Sequence, residues 1–212
     1  MVQFGLIMSE TKRLTKADVL RAHIDSAIIL TAYEDAYVSA HTLVMACEEL
    51  IRTLSDKKGR PYSSDWRSRV NPKYRPKAHT YINDKYNFFK HADRDIDDVL
   101  EVNPEDVREF NATFLASFIT GYSTLFSDVS LNARTFYKWA AVCGWAVHLD
   151  ALPHADIIKK AIAYLDLDTP KRERDLLRQW LGIPIDTNVL PKDESDALYD
   201  ILNVLFVRNP KT

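Results

Sequence analysis

Apolar residues recur at three- and four-residue spacing along nearly the whole chain, while the strict alternation of a half-buried strand is scarce. After Thr15, whose partner Asp18 predicts a variant capping box, Val19, Leu20, His23, Ala27 and Leu30 trace one helical face. Polar Glu34-Asp35 interrupts the pattern, and Ser39 is the expected cap of a second helix. Its stripe is Leu43, Val44, Cys47, Leu50, Ile51 and Leu54, and Lys57-Lys58-Gly59-Arg60-Pro61 ends it. Pro76 opens a third helix running to about Ala92 through Tyr81, Ile82, Tyr86, Phe88 and Phe89.

Asn103-Pro104 starts a fourth helix, with Val107, Phe110, Phe114, Phe118 and Leu125, and Ser130 caps a fifth carrying Phe136, Trp139, Ala140, Cys143 and Val147. Shorter helices are expected near 155–165, 170–181 and 193–206, with Thr169-Pro170 as a cap and Gly182-Ile183-Pro184 as a stop. Val99 to Val102 could extend, but no second strand offers itself as a partner. The fold class is all-α: an antiparallel bundle over residues 9–150 with a helical C-terminal extension over 151–212 packing on it.

Composition narrows the chemistry. The 212 residues hold only five glycines, at 5, 59, 121, 144 and 182, and none fall into the patterns of phosphate-cradling nucleotide loops. Cys47 and Cys143 lie far apart in apolar segments, which predicts two reduced thiols and neither a disulfide framework nor a metal knuckle. No apolar run reaches the length of a membrane span. The first residues lack the basic region of a signal peptide, and Met8-Ser9-Glu10 reads as a natural start. The expectation is a cytoplasmic protein.

The net charge of −2 conceals segregation. From Lys57 to Lys77 there are eight basic residues and one acid, Asp65, interleaved with Tyr62, Trp66 and Tyr74. From Asp93 to Glu109 there are eight acids and two bases, Arg94 and Arg108. A basic stretch carrying aromatics can follow a phosphate backbone and stack bases. Arg60, Arg67, Arg69, Lys73, Arg75 and Lys77, with Trp66 and Tyr74, are therefore the candidate nucleic-acid contacts. The alternative is a solvated segment, or one that docks on the acidic run.

Between these runs lies the row Asn83, Asn87 and His91, successive i, i+4 neighbours on the polar side of the third helix. Imidazole moves a proton near neutrality, and an amide fixes its tautomer or a substrate phosphate. Arg94 lies three residues beyond His91 and could supply a fixed positive charge to a phosphoryl transition state. A structural role, in which His91 and Asn87 satisfy buried groups or cap the helix end, uses the same residues.

Asn-x-x-x-His near the end of a helix in an all-α bundle resembles the HEPN superfamily, the higher eukaryotes and prokaryotes nucleotide-binding domains. The Val38-Ser39-Ala40-His41-Thr42-Leu43 segment and the helix after it share that character, and the resemblance covers roughly residues 15–150. Many members of that superfamily are metal-independent ribonucleases of toxin or phage-defence systems. Their motif is an Arg, a short spacer and a His, with Asn often directly after the Arg. Asn87 and His91 match it; Tyr86 stands at the Arg position, and Lys85, six residues before the His, is the nearest base in the window. The resemblance implies a catalytic set of His91, Asn87, Arg94 and Lys85. It also implies 2′-hydroxyl attack on the adjacent phosphate with no metal or other cofactor, and a homodimer paired through the helix bearing Asn87 and His91, with RNA as partner. Tyr86 at the Arg position fits an inactive, binding-only member, and the competing reading is a non-enzymatic helical interaction module of accessory or antitoxin type.

Other constellations carry less. His91 and Asp95 have ligand spacing, but two ligands make no metal site. His148 and His154 read as turn or core histidines, and Trp139, Trp145 and Trp180 as core or interface residues. The stripe Leu198, Ile201, Leu202 and Leu205 would pack on the body or on a second subunit.

Overall fold

The structure, a computed structural model, describes residues 11–60, 65–90, 97, 99–143, 169–185 and 192. The helices expected near 155–165 and 193–206, and His148, His154 and Trp145, lie outside the described residues. Among the described residues every regular element is helical. They are α1 (Lys16–Thr31), a 3₁₀ turn (Glu34–Ala36), α2 (Tyr37–Lys58), α3 (Trp66–Arg69), a second 3₁₀ turn (Pro72–Tyr74), α4 (Arg75–Lys90), α5 (Pro104–Leu125), α6 (Leu131–Val142) and α7 (Pro170–Leu181). None is long and apolar enough to cross a membrane.

Local chemistry sets most of the boundaries. The Thr15 hydroxyl accepts from the Asp18 amide at 3.2 Å while the Asp18 carboxylate accepts from the Thr15 amide at 2.8 Å, the expected capping box. Asn103 and Ser130 cap α5 and α6, and Thr169 caps α7 ahead of Pro170. Gly59 and Gly182 end α2 and α7 in the left-handed region, at φ 60° and 68°.

Ser39 does not cap α2. The 3₁₀ turn runs directly into the helix, whose N-terminal flank is Ala36 with no side-chain cap, so Ser39 lies exposed within the first turn. The third helix begins at Arg75, one residue before Pro76. The short α3 went unforeseen because a single turn has no apolar period; it exists through its cap, Asp65, which accepts from the Arg67 amide at 3.0 Å. Residues 99–102 pair with nothing among the described residues, and Val99 is 84% exposed.

Neighbours in sequence run antiparallel, with one consequence for the interior. Tyr37 lies beneath Arg108, His41 meets Asn111, and Lys58 reaches the Leu125 carbonyl, so α2 and α5 run side by side in the same direction. The chain between them returns along α2 through α3 and α4, with Phe89 of α4 beside His41.

The core is built where α1, α2, α5 and α6 meet. Leu20 and Ile28, Val44 and Ile51, Leu115 and Phe118, and Phe136 are all essentially inaccessible to solvent. Phe118 and its neighbours Phe114 and Phe110 form a run of ring contacts down one side of α5. Leu176 and Leu177 of α7 join the same cluster, so this part of the expected C-terminal extension shares the bundle's core. Polar ties hold α7 in place: the Trp139 indole donates to the Glu173 carbonyl at 2.7 Å, and Arg178 donates to the Ala32 carbonyl at 2.7 Å. Trp139 is thus a core residue, as expected, and Trp180 packs on the core from its margin.

By contrast α4 has no buried residue. Ala78, Ile82, Asn83, Lys85, Tyr86 and Phe89 are half-buried, with α2 the helix on which α4 packs, and the other residues of the helix are exposed.

Candidate nucleic-acid interface

The basic, aromatic segment divides into residues that hold α3 in place and residues that remain at the surface. Asp65 caps α3 and also binds the Arg67 guanidinium through both oxygens. Burial pushes the Asp65 carboxyl up, but its hydrogen bonds and ion pair with Arg67 outweigh this and hold it below the usual carboxylate range. Trp66 is half-buried, 6.5 Å from the His79 ring, and its indole N–H has no acceptor among the described residues. Arg67 and Trp66 therefore help pin α3.

Arg60, Lys73, Arg75 and Lys77 are exposed, and Arg69 closes α3. Arg75 donates to the Val70 carbonyl at 3.2 Å, which turns the chain into α4. Lys58 is drawn away from this face: its ammonium sits 4.1 Å from the Phe126 ring centre and donates to the Leu125 carbonyl at the C-terminus of α5 at 3.3 Å.

The outer face of α4 continues the pattern. Tyr74, Tyr81 and Phe88 are 55%, 70% and 39% exposed and follow one another at seven-residue intervals. Lysines lie over neighbouring rings: Lys73 over Tyr74 at 5.6 Å, Lys85 over Tyr81 at 5.1 Å, and Lys90 over Tyr86 at 5.2 Å. The surface offers flat π-faces beside ammonium groups.

Of the polar row, Asn87 is exposed, whereas Asn83 donates to the His79 carbonyl of its own helix at 2.8 Å. Lys85 is half-buried against α2. His91 and Arg94 lie outside the described residues. Phe88, one of the apolar residues expected along the third helix, is turned partly to solvent, at 39% exposed.

The acids at the start of α5 serve another contact. Glu105 pairs with Arg108 and lies 3.6 Å from Arg174, whose guanidinium also lies 3.7 Å from Glu34. Arg108 reaches the Glu34 carbonyl and covers the Tyr37 ring. This network joins α7, α5 and the 3₁₀ turn.

One polar constellation escaped the sequence reading. His41, only 1% exposed, places Nδ1 2.8 Å from Asn111 Oδ1, and Asn111 Nδ2 donates to the Tyr37 carbonyl at 3.1 Å. The sequence signal was available: an amide stands in the buried stripe of α5 between Val107 and Leu115, and an imidazole in that of α2 before Val44. Among the described residues, no group of three or more His, Cys, Asp or Glu side chains gathers as a metal site would require. The chain matches no family model, no curated protein and no solved structure.

Proposed function

We propose that this chain is a HEPN-like RNA- or nucleotide-binding protein whose contact surface is the outer face of α4 together with the basic segment before it. The observation that carries the reading is the exposed Tyr74–Tyr81–Phe88 stripe, with ammonium groups beside it and Arg60, Arg75 and Lys77 exposed nearby. Single-stranded nucleic acid is held by this combination of stacking faces and backbone cations. In the active form of this reading the protein is a metal-independent ribonuclease of a toxin or phage-defence system. His91 handles the 2′-hydroxyl proton, Asn87 orients it, and Lys85 or Arg94 steadies the charge on phosphate. A homodimer through α4 sets two such rows across one groove.

The second reading, a non-enzymatic interaction module, is favoured by Tyr86. It occupies the motif's Arg position, is half-buried, and is covered by Lys90.

The test is incubation of the protein with RNA in EDTA beside His91→Ala, Arg94→Ala and Tyr81→Ala variants. Cleavage by the parent and not by the first two variants supports the ribonuclease. Binding without cleavage, weakened by salt and by Tyr81→Ala, supports a binding-only protein. In either case Lys77→Ala should lower the salt dependence of binding by about one counterion. Absence of both cleavage and binding removes nucleic acid from consideration. Sedimentation of the parent and of Phe88→Glu checks the dimer: a parent that is monomeric at all concentrations rejects it.

A further inference from the structure

The buried histidine faces a problem that its surroundings leave unsolved. The Tyr37 carbonyl accepts from Asn111 Nδ2, which fixes the amide so that Oδ1 faces His41. That oxygen can only accept, so His41 carries its proton on Nδ1 and presents a bare Nε2. Nε2 lies across the ring from Asn111, is shielded from solvent, and has no hydrogen-bond partner among the described residues. A neutral imidazole tolerates this at modest cost; an imidazolium would present a buried, charged N–H with no acceptor among the described residues.

The walls around the ring differ in strength. On α5 stand Phe110, 5.2 Å between ring centres, and the uncharged Asn111; the charged Arg108 is engaged by Glu105 and the Glu34 carbonyl. On α2 itself the Tyr37 ring lies under Arg108, and Glu48, two turns on, pairs with Arg52 at 3.6 Å. On α4 stand Phe89, edge-on at 5.6 Å, and Lys85, whose positive charge opposes a second one on the imidazole. The wall made by α4 is the weakest, because that helix buries no residue.

We propose that His41 is an acid-sensitive latch: protonation of its Nε2 releases α4 from α2, while α1, α2, α5 and α6 remain folded around their own core. Burial, with Lys85 adding to it against the opposing hydrogen bond from Asn111, sets the imidazole below its ordinary value of 6.5 when α4 is docked. Docking is therefore fully favoured above pH 6.5 and weakens as the pH falls through that value, because the undocked state takes up the proton first. The docked helix carries Lys85 and Asn87, so the latch governs presentation of that face. It does not rest on the nucleic-acid reading, and its test contains no ligand.

The experiment is hydrogen exchange of the full chain, read by mass spectrometry and corrected for intrinsic rates, between about pH 7.5 and about pH 5. Protection across α4 should fall about tenfold relative to α2 and α5, and His41→Gln, which donates to Asn111 but does not titrate, should respond no more than the body. Retention of the full response in His41→Gln, or α4 exchange that follows α2 and α5 at every pH, overturns the latch. Should His41→Gln not fold, the parent decides alone: the loss of α4 protection must begin near pH 6.5 and level off near the lower midpoint of His41 titration, read from its imidazole nitrogen resonances. A loss of protection confined to pH values below that midpoint overturns the proposal.

Discussion

Asn111 is the residue on which the polar part of the interior depends. It accepts from an imidazole and donates to a carbonyl of another helix, while itself only 1% exposed. Asn111→Ala leaves the His41 Nδ1–H without its partner and removes the second donor from the Tyr37 carbonyl, which keeps its bond within α2, and should cost about 1–3 kcal/mol in chemical denaturation. Gly182 poses a purely conformational question. A Cβ there would meet no atom within 4 Å, yet its φ of 68° is unfavourable for alanine. Gly182→Ala should therefore destabilise by about 1 kcal/mol, with Gly182→Asn costing less. Both outcomes are read from denaturation midpoints at unchanged slope. The caps Thr15, Asn103, Ser130 and Thr169 were legible in the sequence, since each precedes an apolar period, whereas Ser39 was expected as a cap and is not one, and Asp65 caps α3 with no such period after it. His41 and Asn111 were not paired, because partners 70 positions apart leave no local signal.

Elements differ sharply in how they are held. Phe118 of α5 is 1% exposed and surrounded by core, whereas Tyr81 of α4 is 70% exposed. Phe118→Ala should cost about 3–5 kcal/mol, and Tyr81→Ala less than about 0.5 kcal/mol; equal thermal shifts would contradict this packing. Such a contrast also separates a surface role for Tyr81 from a structural one, because loss of binding without loss of stability can only be local. The apolar period located α1, α2, α5, α6 and α7, but the same period in α4 did not reveal that this helix buries none of its residues. Amphipathicity reports that a helix has a face to cover, not how fully the fold covers it. The candidate site inherits that ambiguity: the type of residue along α4 was readable, but the outward turn of Phe88 was not.

At the scale of the molecule, charge and burial are organised separately. The acids of early α5 bind α7 and the 3₁₀ turn through Arg108 and Arg174. The basic residues gather along α3 and α4, so the small net charge averages two surfaces with different tasks. The thiols test the integrity of the interior. Cys47 is fully buried, and burial pushes its thiol far above the ordinary range. It should react with a thiol reagent only on global unfolding, at a rate that follows the denaturant dependence of unfolding; fast native-state labelling would indicate that α2 opens locally.

The parallel course of α2 and α5 bears on how the chain finds its structure. The hairpins α1–α2 and α5–α6 close over short sequence distances, but α2 and α5 meet only by closing the long connection between Gly59 and Asn103. Joining the two hairpins is thus the step of high contact order, and it should limit the folding rate. Because loop-closure entropy grows only logarithmically, doubling that connection with a flexible insert should cost about 0.6 kcal/mol, slowing folding about threefold while leaving unfolding unchanged. The return segment sets the speed at which the core assembles, though none of its described residues belongs to the core.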